Sequence, residues 1–321
     1  MPLIQLDRLS RRFGRVQALR EVTLTLERGT TGLVGNNGAG KSTLLKILLG
    51  LLPPDEGEGT ILGHPIRRAT HEIRGRIGYM PESAAVVPGL KGVEYVTLSG
   101  DLYGMPHRDA RRRAHEVLSY LGLGELRYRS LDEYSTGNLQ RLKLAAALVH
   151  DPDLLLLDEP TNGLDPPGRQ AMLRLIEDLI AETNKSVLLC THLLGDVERL
   201  CQQVVLLDLG TVVFSGQMDQ LRQRHMNRFE LAWRGDGQAF IAALGRSGAS
   251  IVPSEPAATD HAAGHTAVDV PEGWRTSQFF ELAGQHGVVL LRLKPREENL
   301  QDLFFRMTAG NHITPAPAHK H

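Results

Sequence analysis

The run Gly35-Asn36-Asn37-Gly38-Ala39-Gly40-Lys41-Ser42, followed by Thr43, limits what this chain can fold into more than any other stretch. It is a complete G-x-x-x-x-G-K-S pattern between TGLV, a short apolar run expected as a buried strand, and STLLKILLGLL, expected as a helix. Phosphate oxygens need many donors within a small radius. A loop poor in side chains lets backbone N–H groups converge on them, and the helix that follows adds the favourable end of its dipole. Lys41 would supply a point charge for the outer phosphates and the Ser42 hydroxyl a ligand for magnesium. The competing reading is a glycine turn with no ligand, but the fixed residues and both flanks agree with the phosphate loop.

A second run, Leu154-Leu155-Leu156-Leu157-Asp158-Glu159, is an apolar strand that ends in two acids. Ionised groups at the tip of a buried strand lose hydration unless a cation or donor compensates. Asp158 is therefore expected in the shell of a magnesium ion, and Glu159 is expected to polarise an attacking water. The alternative is a solvated exit from strand to loop. Taken together the two motifs point to a P-loop NTPase.

Bulk properties exclude several other classes. The 321 residues suit two domains, and 36 Lys and Arg against 37 Asp and Glu leave a formal charge of -1. No overall field draws the chain toward nucleic acid or anionic lipid. The opening MPLIQLDRLS lacks the zones of a secretory signal, so Cys190 and Cys201 are expected as free thiols in a reducing cytosol, a bridge between them being the alternative. The longest apolar stretch, Leu44 to Leu52, is interrupted by Lys46 and Gly50 and falls far short of the ~20 residues a spanning helix needs.

Along the chain, LIQL and VTLTLERG alternate, with Val22, Leu24 and Leu26 on one face, and read as strands of a sheet with one wetter side. Residues 53–66 are turn-rich around one short strand, and Arg76 to Met80 supply another. From Val86 to Val149 the spacing is helical, as in Ala114, Val117, Leu118 and Leu121, which predicts a helical insertion. Leu154–Leu157, Val187–Leu189 and Val204–Leu207 are continuously apolar and predict parallel strands covered on both faces. The first domain is thus α/β and spans 1–220. Beyond it, FELAW, GQAFIAAL, ASIVP, HTAVDV, TSQFFELA and VVLLRL give the order β-α-β-β-α-β of a small α+β, ferredoxin-like domain within 228–308. A last helix with Leu300, Leu303, Phe304 and Met307 on one face closes it, and 309–321 is expected as a disordered tail. His261, His265, His286, His312, His319 and His321 raise metal handling, but without ligand spacing on a regular element a solvated surface is the favoured reading.

Tyr134-Ser135-Thr136-Gly137-Asn138, followed by Leu-Gln-Arg, resembles the signature loop of ABC ATPases, and the first two-thirds of the chain resembles that family. Thr136 and Asn138 depart from its commonest form, where a glycine and a glutamine stand. The resemblance implies a mixed-sheet core with an antiparallel β subdomain, and a pair of chains closing head to tail around two ATP and Mg2+. Ser135 and Gly137 would then cap the γ-phosphate held by the opposite copy. Phe13 matches the aromatic that stacks on adenine, Asp165 in Asn162-Gly163-Leu164-Asp165 the loop joining the two sites, and His192 the switch histidine on the γ-phosphate. Alone, Phe13 reads as a core aromatic and His192 as structural; their order and spacing raise them. Glu82 stands where the family usually has a glutamine that senses magnesium and couples to the transmembrane partner; an exposed loop acid is the other reading.

On this resemblance the chain is expected to be the ATPase of an exporter-type ABC transporter whose permease is a separate polypeptide. It would be cytoplasmic, held at the inner face of the membrane through that permease, which the helical insertion would grip. No nucleic-acid partner is implied. The alternative is an ABC ATPase without a transporter, acting in a regulatory or mechanochemical complex.

Overall fold

A computed structural model describes residues 2–68, 70–83, 87–223, 228–252, 264–271 and 273–295. The helix expected at Leu300 to Met307, the tail from 309, and His261, His312, His319 and His321 lie outside them. The chain divides into two compact units, the first ending at Met218 and the second beginning at Asp219.

In the first unit β1 (Ile4–Phe13) and β2 (Val16–Leu26) pair antiparallel. The expected alternation holds, since Val22, Leu24 and Leu26 are buried and Thr23 and Thr25 exposed. Then follow β3 (Thr30–Val34), α1 (Lys41–Leu48), β4 (Glu56–Ile61), β5 (His64–Pro65), α2 (Thr70–Arg74) and β6 (Ile77–Met80). The helical insertion carries α3 (Gly92–Leu102), α4 (His107–Tyr120) and α5 (Thr136–Leu148). The unit continues with β7 (Leu154–Asp158), α6 (Pro166–Glu182), β8 (Ser186–Thr191), α7 (Leu194–Leu200), β9 (Gln203–Asp208) and β10 (Thr211–Gln217), and α8 (Met218–Gln223) begins at its last residue.

Two sheets result, ordered β2-β1-β4-β5 and β10-β9-β3-β8-β7-β6. The larger is parallel from β9 through β6 with an antiparallel edge at β10. Every residue of β3, β7, β8 and β9 is buried, which is why these strands read as unbroken apolar runs: helices cover both faces. Leu6, Leu24, Leu33, Leu45, Leu156 and Leu207 belong to one core cluster that joins the two sheets. Cys190 and Cys201 are free and buried. Among the described residues no helix is long and apolar enough to cross a membrane.

The second unit contains β11 (Arg228–Arg234), α9 (Gly237–Arg246), β12 (Ser250–Val252), β13 (Gly264–Asp269), α10 (Ser277–Gln285) and β14 (Val289–Pro295). Its antiparallel sheet runs β12-β13-β11-β14, the strand order of a ferredoxin-like fold. Leu231, Trp233, Phe240, Val268 and Phe279 make its core. Trp233 is wedged between two glycines, because a Cβ at Gly237 or Gly264 would come within 2.1 or 2.2 Å of its indole. The fold is thus the α/β, mixed-sheet ATPase core with a helical insertion and an appended α+β unit that the sequence led us to expect. Among the described residues, which include His265 and His286, no group of three or more His, Cys, Asp or Glu could hold a metal.

His150 fastens the insertion to the sheet. Its ring stacks on Tyr103, just past α3, at 3.5 Å, and Nε2–H donates to the Ile77 carbonyl at 3.2 Å. Burial holds its pKa down to about 4, opposed in part by that hydrogen bond. The unfolded chain therefore takes up a proton near pH 6.5 that the folded chain refuses. Stability from this group is complete above that value and is lost as pH falls toward 4, by at most about 3 kcal/mol. Thermal unfolding between pH 7 and 4 should show this decline, and His150→Gln should flatten it.

Candidate active site

Register brings the functional residues to one edge. Val34 aligns with Thr191, Asp158 with Cys190 and Met80 with Leu157, so Gly35, His192, Glu159 and Pro81 all leave the same end of adjacent parallel strands. This carboxyl edge is where open α/β sheets bind ligands.

The loop after β3 depends on two glycines. A Cβ at Gly35 would meet the Leu207 carbonyl at 2.4 Å, and one at Gly40, where φ is +105°, would meet the Ala18 carbonyl at 2.5 Å. Ala39 is buried while Asn36, Asn37 and Gly38 face outward. Gly40 caps α1, placing Lys41, Ser42 and Thr43 in its first turn, where backbone N–H groups are free for an anion. The Lys41 ammonium folds back and donates to the carbonyls of Gly35 at 2.6 Å and Asn36 at 3.2 Å.

Asp158 and Glu159 are each 5% exposed. Burial, then the neighbouring charges of Glu82 and Glu159, push the Asp158 pKa up to about 6, with Tyr79 and Lys41 pulling the other way. Tyr79 Oη donates to Asp158 Oδ2 at 3.4 Å, and burial together with this acid raises the phenol pKa strongly. Glu159 sits in the left-handed region at φ +48°, a conformation that costs an ordinary residue about 1 kcal/mol or more. Four bonds over-determine it. Its N–H donates to the Cys190 carbonyl at 2.8 Å, the Thr191 hydroxyl donates to Oε2 at 3.0 Å, and the His192 backbone N–H donates to Oε1 at 3.0 Å. The His192 ring adds Nδ1–H at 2.9 Å from the same oxygen, a proton assignment that follows because a carboxylate only accepts.

Two further networks reach the loops around these acids. Asn162 Nδ2 donates to Glu82 Oε1 at 3.2 Å, Gln140 Nε2 to the Asn162 carbonyl at 2.9 Å, and Lys143 Nζ to the carbonyls of Pro81 and Glu82 at 2.7 and 2.9 Å. Burial lowers the Lys143 pKa to about 8, against the pull of Asp158 and Glu82. On the other side, buried Asp196 of α7 accepts from the Thr161 hydroxyl at 2.8 Å and from Arg169 of α6, tying the segment after Glu159 to the helix after His192.

Among the described residues no hydrogen bond joins the remaining expected residues to Lys41, Asp158, Glu159 or His192. Phe13 is 47% exposed at the end of β1 with the Arg11 guanidinium 5.0 Å from its ring centre, so it is a surface platform and not a core aromatic. Ser135 caps α5, accepting from the Asn138 N–H at 3.3 Å, and Ser135 and Thr136 are exposed. Gly137 lies nearest Leu164, and among the described residues no hydrogen bond joins Ser135, Thr136, Gly137 or Asn138 to the phosphate loop. Asp165 caps α6 by accepting from the Gly168 N–H at 3.0 Å. Tyr79, Gln140, Lys143, Thr161, Arg169, Thr191 and Asp196 were missed by sequence reasoning. Only Gln140 and Lys143 carried a local signal, as polar residues three apart among the apolar positions of a helix.

A glycine-rich loop, a helix N-terminus and buried acids on one carboxyl edge define a P-loop nucleotide-binding site. The ABC transporter family profile matches residues 19–162. The linearmycin resistance ATP-binding protein LnrL of Bacillus subtilis is 33% identical over 313 residues, covering 95% of this chain and 98% of its own length. The Nod factor export ATP-binding protein I of Burkholderia lata is 32% identical over 316 residues, with 96% and 98% covered. Daunorubicin resistance ATP-binding protein DrrA3 of Streptomyces coeruleorubidus is 36% identical over 252 residues, with 77% and 79% covered. In three dimensions, an ATP-binding subunit of an ABC transporter superposes with a TM-score of 0.62 at 30% identity, covering 69% of this chain and 92% of that one. The dimeric cassette MJ0796, in a post-hydrolysis state with ADP and Pi, superposes at 0.60 with 26% identity, covering 67% and 98%. The chain belongs to the ABC transporter family as an ATP-binding subunit, and its chemistry is ATP hydrolysis.

Because its pKa lies above that of an unfolded aspartate, Asp158 is held ionised at neutral pH at a cost that appears as pH rises from about 4 to 6. Asp158→Asn removes the charge while keeping an acceptor for Tyr79. Allowing for partial solvent screening, the unfolding midpoint of the nucleotide-free protein should rise by about 2–4 °C at pH 7.5 and not at pH 4, as calorimetry would show, while ATPase activity is lost.

Proposed function

We propose that this chain works as one of a pair of ATPase subunits that close around MgATP and drive a separate membrane permease in export. The observation that carries the pairing is the position of Ser135, Thr136, Gly137 and Asn138. They stand at the head of α5 with the serine and threonine exposed and, among the described residues, without a bond to the phosphate loop of their own chain. A γ-phosphate bound at Lys41 would meet these donors from a second copy, in keeping with the dimeric form of MJ0796. Asp165, at the head of α6 and close in sequence to both acids, would carry contact between the two sites. Export is supported by relatives that match nearly the whole chain and are named for linearmycin resistance and Nod factor export. On this reading the protein sits at the cytoplasmic face of the membrane, held there by its permease. The helical insertion between 86 and 149 would be the gripping surface, and the appended unit within 228–308 a stabilising or regulatory one.

Within the site, the N–H groups of residues 35–43 and the Lys41 ammonium would bind and orient the phosphates, and the Phe13 face would take the adenine. Glu159 would accept a proton from the attacking water, its position set by Thr191 and Cys190, and His192 would trade its bond to Glu159 for the γ-phosphate. Magnesium fits the residues present. Mg2+ keeps several waters and takes one or two protein oxygens plus phosphate, so Ser42 and Asp158 suffice, and the crowding of Glu82, Asp158 and Glu159 is what a divalent charge would offset. Glu82, bonded to Asn162, would add charge beside that ion. When bound, the ion would neutralise charge on the phosphate oxygens.

Glu159→Gln tests the assignment. Nucleotide binding should stay within about threefold, steady-state turnover should fall about 100-fold or more, and size-exclusion chromatography with ATP should show a trapped pair. Turnover at the unaltered rate would remove Glu159 as the base.

A further inference from the structure

Helix α5 carries a buried amine that packing alone does not call for. Lys143 is 4% exposed, and among the described residues it meets no carboxylate at ion-pair distance; its ammonium ends on the carbonyls of Pro81 and Glu82. Desolvating an ammonium to reach two neutral acceptors is costly, and a leucine or methionine would fill the same space at no such cost. One turn earlier on the same face, Gln140, 5% exposed, donates to the Asn162 carbonyl. Asn162 in turn donates to the Glu82 carboxylate. The four residues close a ring: α5 holds the turn after β6 through Lys143, the loop after β7 through Gln140, and the two loops hold each other through Glu82 and Asn162.

We propose that Lys143 is a positioning residue for hydrolysis, pinning α5 to the turn that carries Glu82. Ser135 and Gly137 at the head of that helix then keep a fixed spacing from the acids at the strand tips. The inference rests on the proposed reading, in which Ser135 and Gly137 serve the opposite copy. It adds that the acid cluster of one site and the signature face offered to the other are joined within each chain by the ring that Lys143 closes. Without that ammonium, the carbonyls of Pro81 and Glu82 lose their donor, and α5 keeps only the Gln140 link to these loops.

The test uses the full chain with Lys143→Met, Lys143→Arg, Asn162→Ala and the double variants, with Glu159→Gln alongside. Lys143→Met should lower kcat for ATP about tenfold or more while the affinity for a fluorescent ATP analogue stays within about threefold. Backbone hydrogen exchange should quicken together in the segments around 81–83 and 135–140. Lys143→Arg should restore part of kcat, since it keeps the charge but spreads its donors over a planar fork. Lys143→Met and Asn162→Ala should be non-additive in kcat, because either opens the same ring. Should Lys143→Met fail to fold, the same cycle with Lys143→Arg decides. Unchanged kcat, or strict additivity in the cycle, overturns the proposal. So does a lowered unfolding temperature with unchanged kcat well below it, the signature of a purely structural lysine. Were Glu159→Gln itself to turn over normally, the reading of the site would fail; an inactive Glu159→Gln with a fully active Lys143→Met removes the pin alone.

Discussion

Like charge crowded at the dry end of a parallel sheet is the constraint from which the rest follows. Asp158 is buried, which disfavours its ionisation, and the charges of Glu82 and Glu159 act on it as well, so its pKa rises. The protein answers with fixed donors. Thr191 and the backbone of His192 hold Glu159, Tyr79 and Asn162 serve Asp158 and Glu82, and Lys41 and Lys143 bring positive charge from either side. A site arranged in this way is less stable than it could be, and on the proposed reading binding of a cation with nucleotide recovers the difference. Stability is given up where affinity is needed.

On the proposed reading, the second feature is incompleteness. Lys41 and Ser42 begin α1 and Ser135 caps α5, so each of these two helices offers an N-terminus able to face an anion. Only one of them joins the edge that carries Glu159 and His192. The hydrogen-bonded ring of Gln140, Lys143, Glu82 and Asn162, and the Thr161, Asp196 and Arg169 cluster, connect the loops of that edge to α5, α6 and α7. Movement of a loop at the strand tips is therefore felt by helices that carry no catalytic group.

How much of this the sequence disclosed depended on whether chemistry or packing placed each residue. Gly35 and Gly40 were legible because close backbone approach admits nothing larger, and Asp158 and Glu159 because acids at a buried strand tip need a reason. The six short elements from Arg228 to Pro295 were legible as short apolar runs set apart by polar, Gly and Pro breaks. Phe13 was ambiguous: a lone aromatic at the end of an alternating strand has no period to say which side it faces, and the structure turns it outward beneath Arg11. Asp196 and Arg169 stand 27 residues apart and meet only because α6 and α7 pack together, a pairing that no local pattern records. Asp165 was named only through the family resemblance, and the structure gives it a local duty as well, as the cap of α6 ahead of Pro166.

The most direct test of a centre shared between two copies is complementation of two inactive variants. Lys41→Ala removes the amine proposed to bind phosphate and Ser135→Arg blocks the proposed signature, so each protein alone should hydrolyse ATP at background. In an equal mixture half of the pairs contain one of each, and one of their two sites then combines an intact phosphate loop with an intact signature. Activity should return to as much as about a quarter of the unaltered rate. A mixture that stays at background although mixed pairs form, or a Ser135→Arg protein that is fully active by itself, would contradict a centre built from two chains.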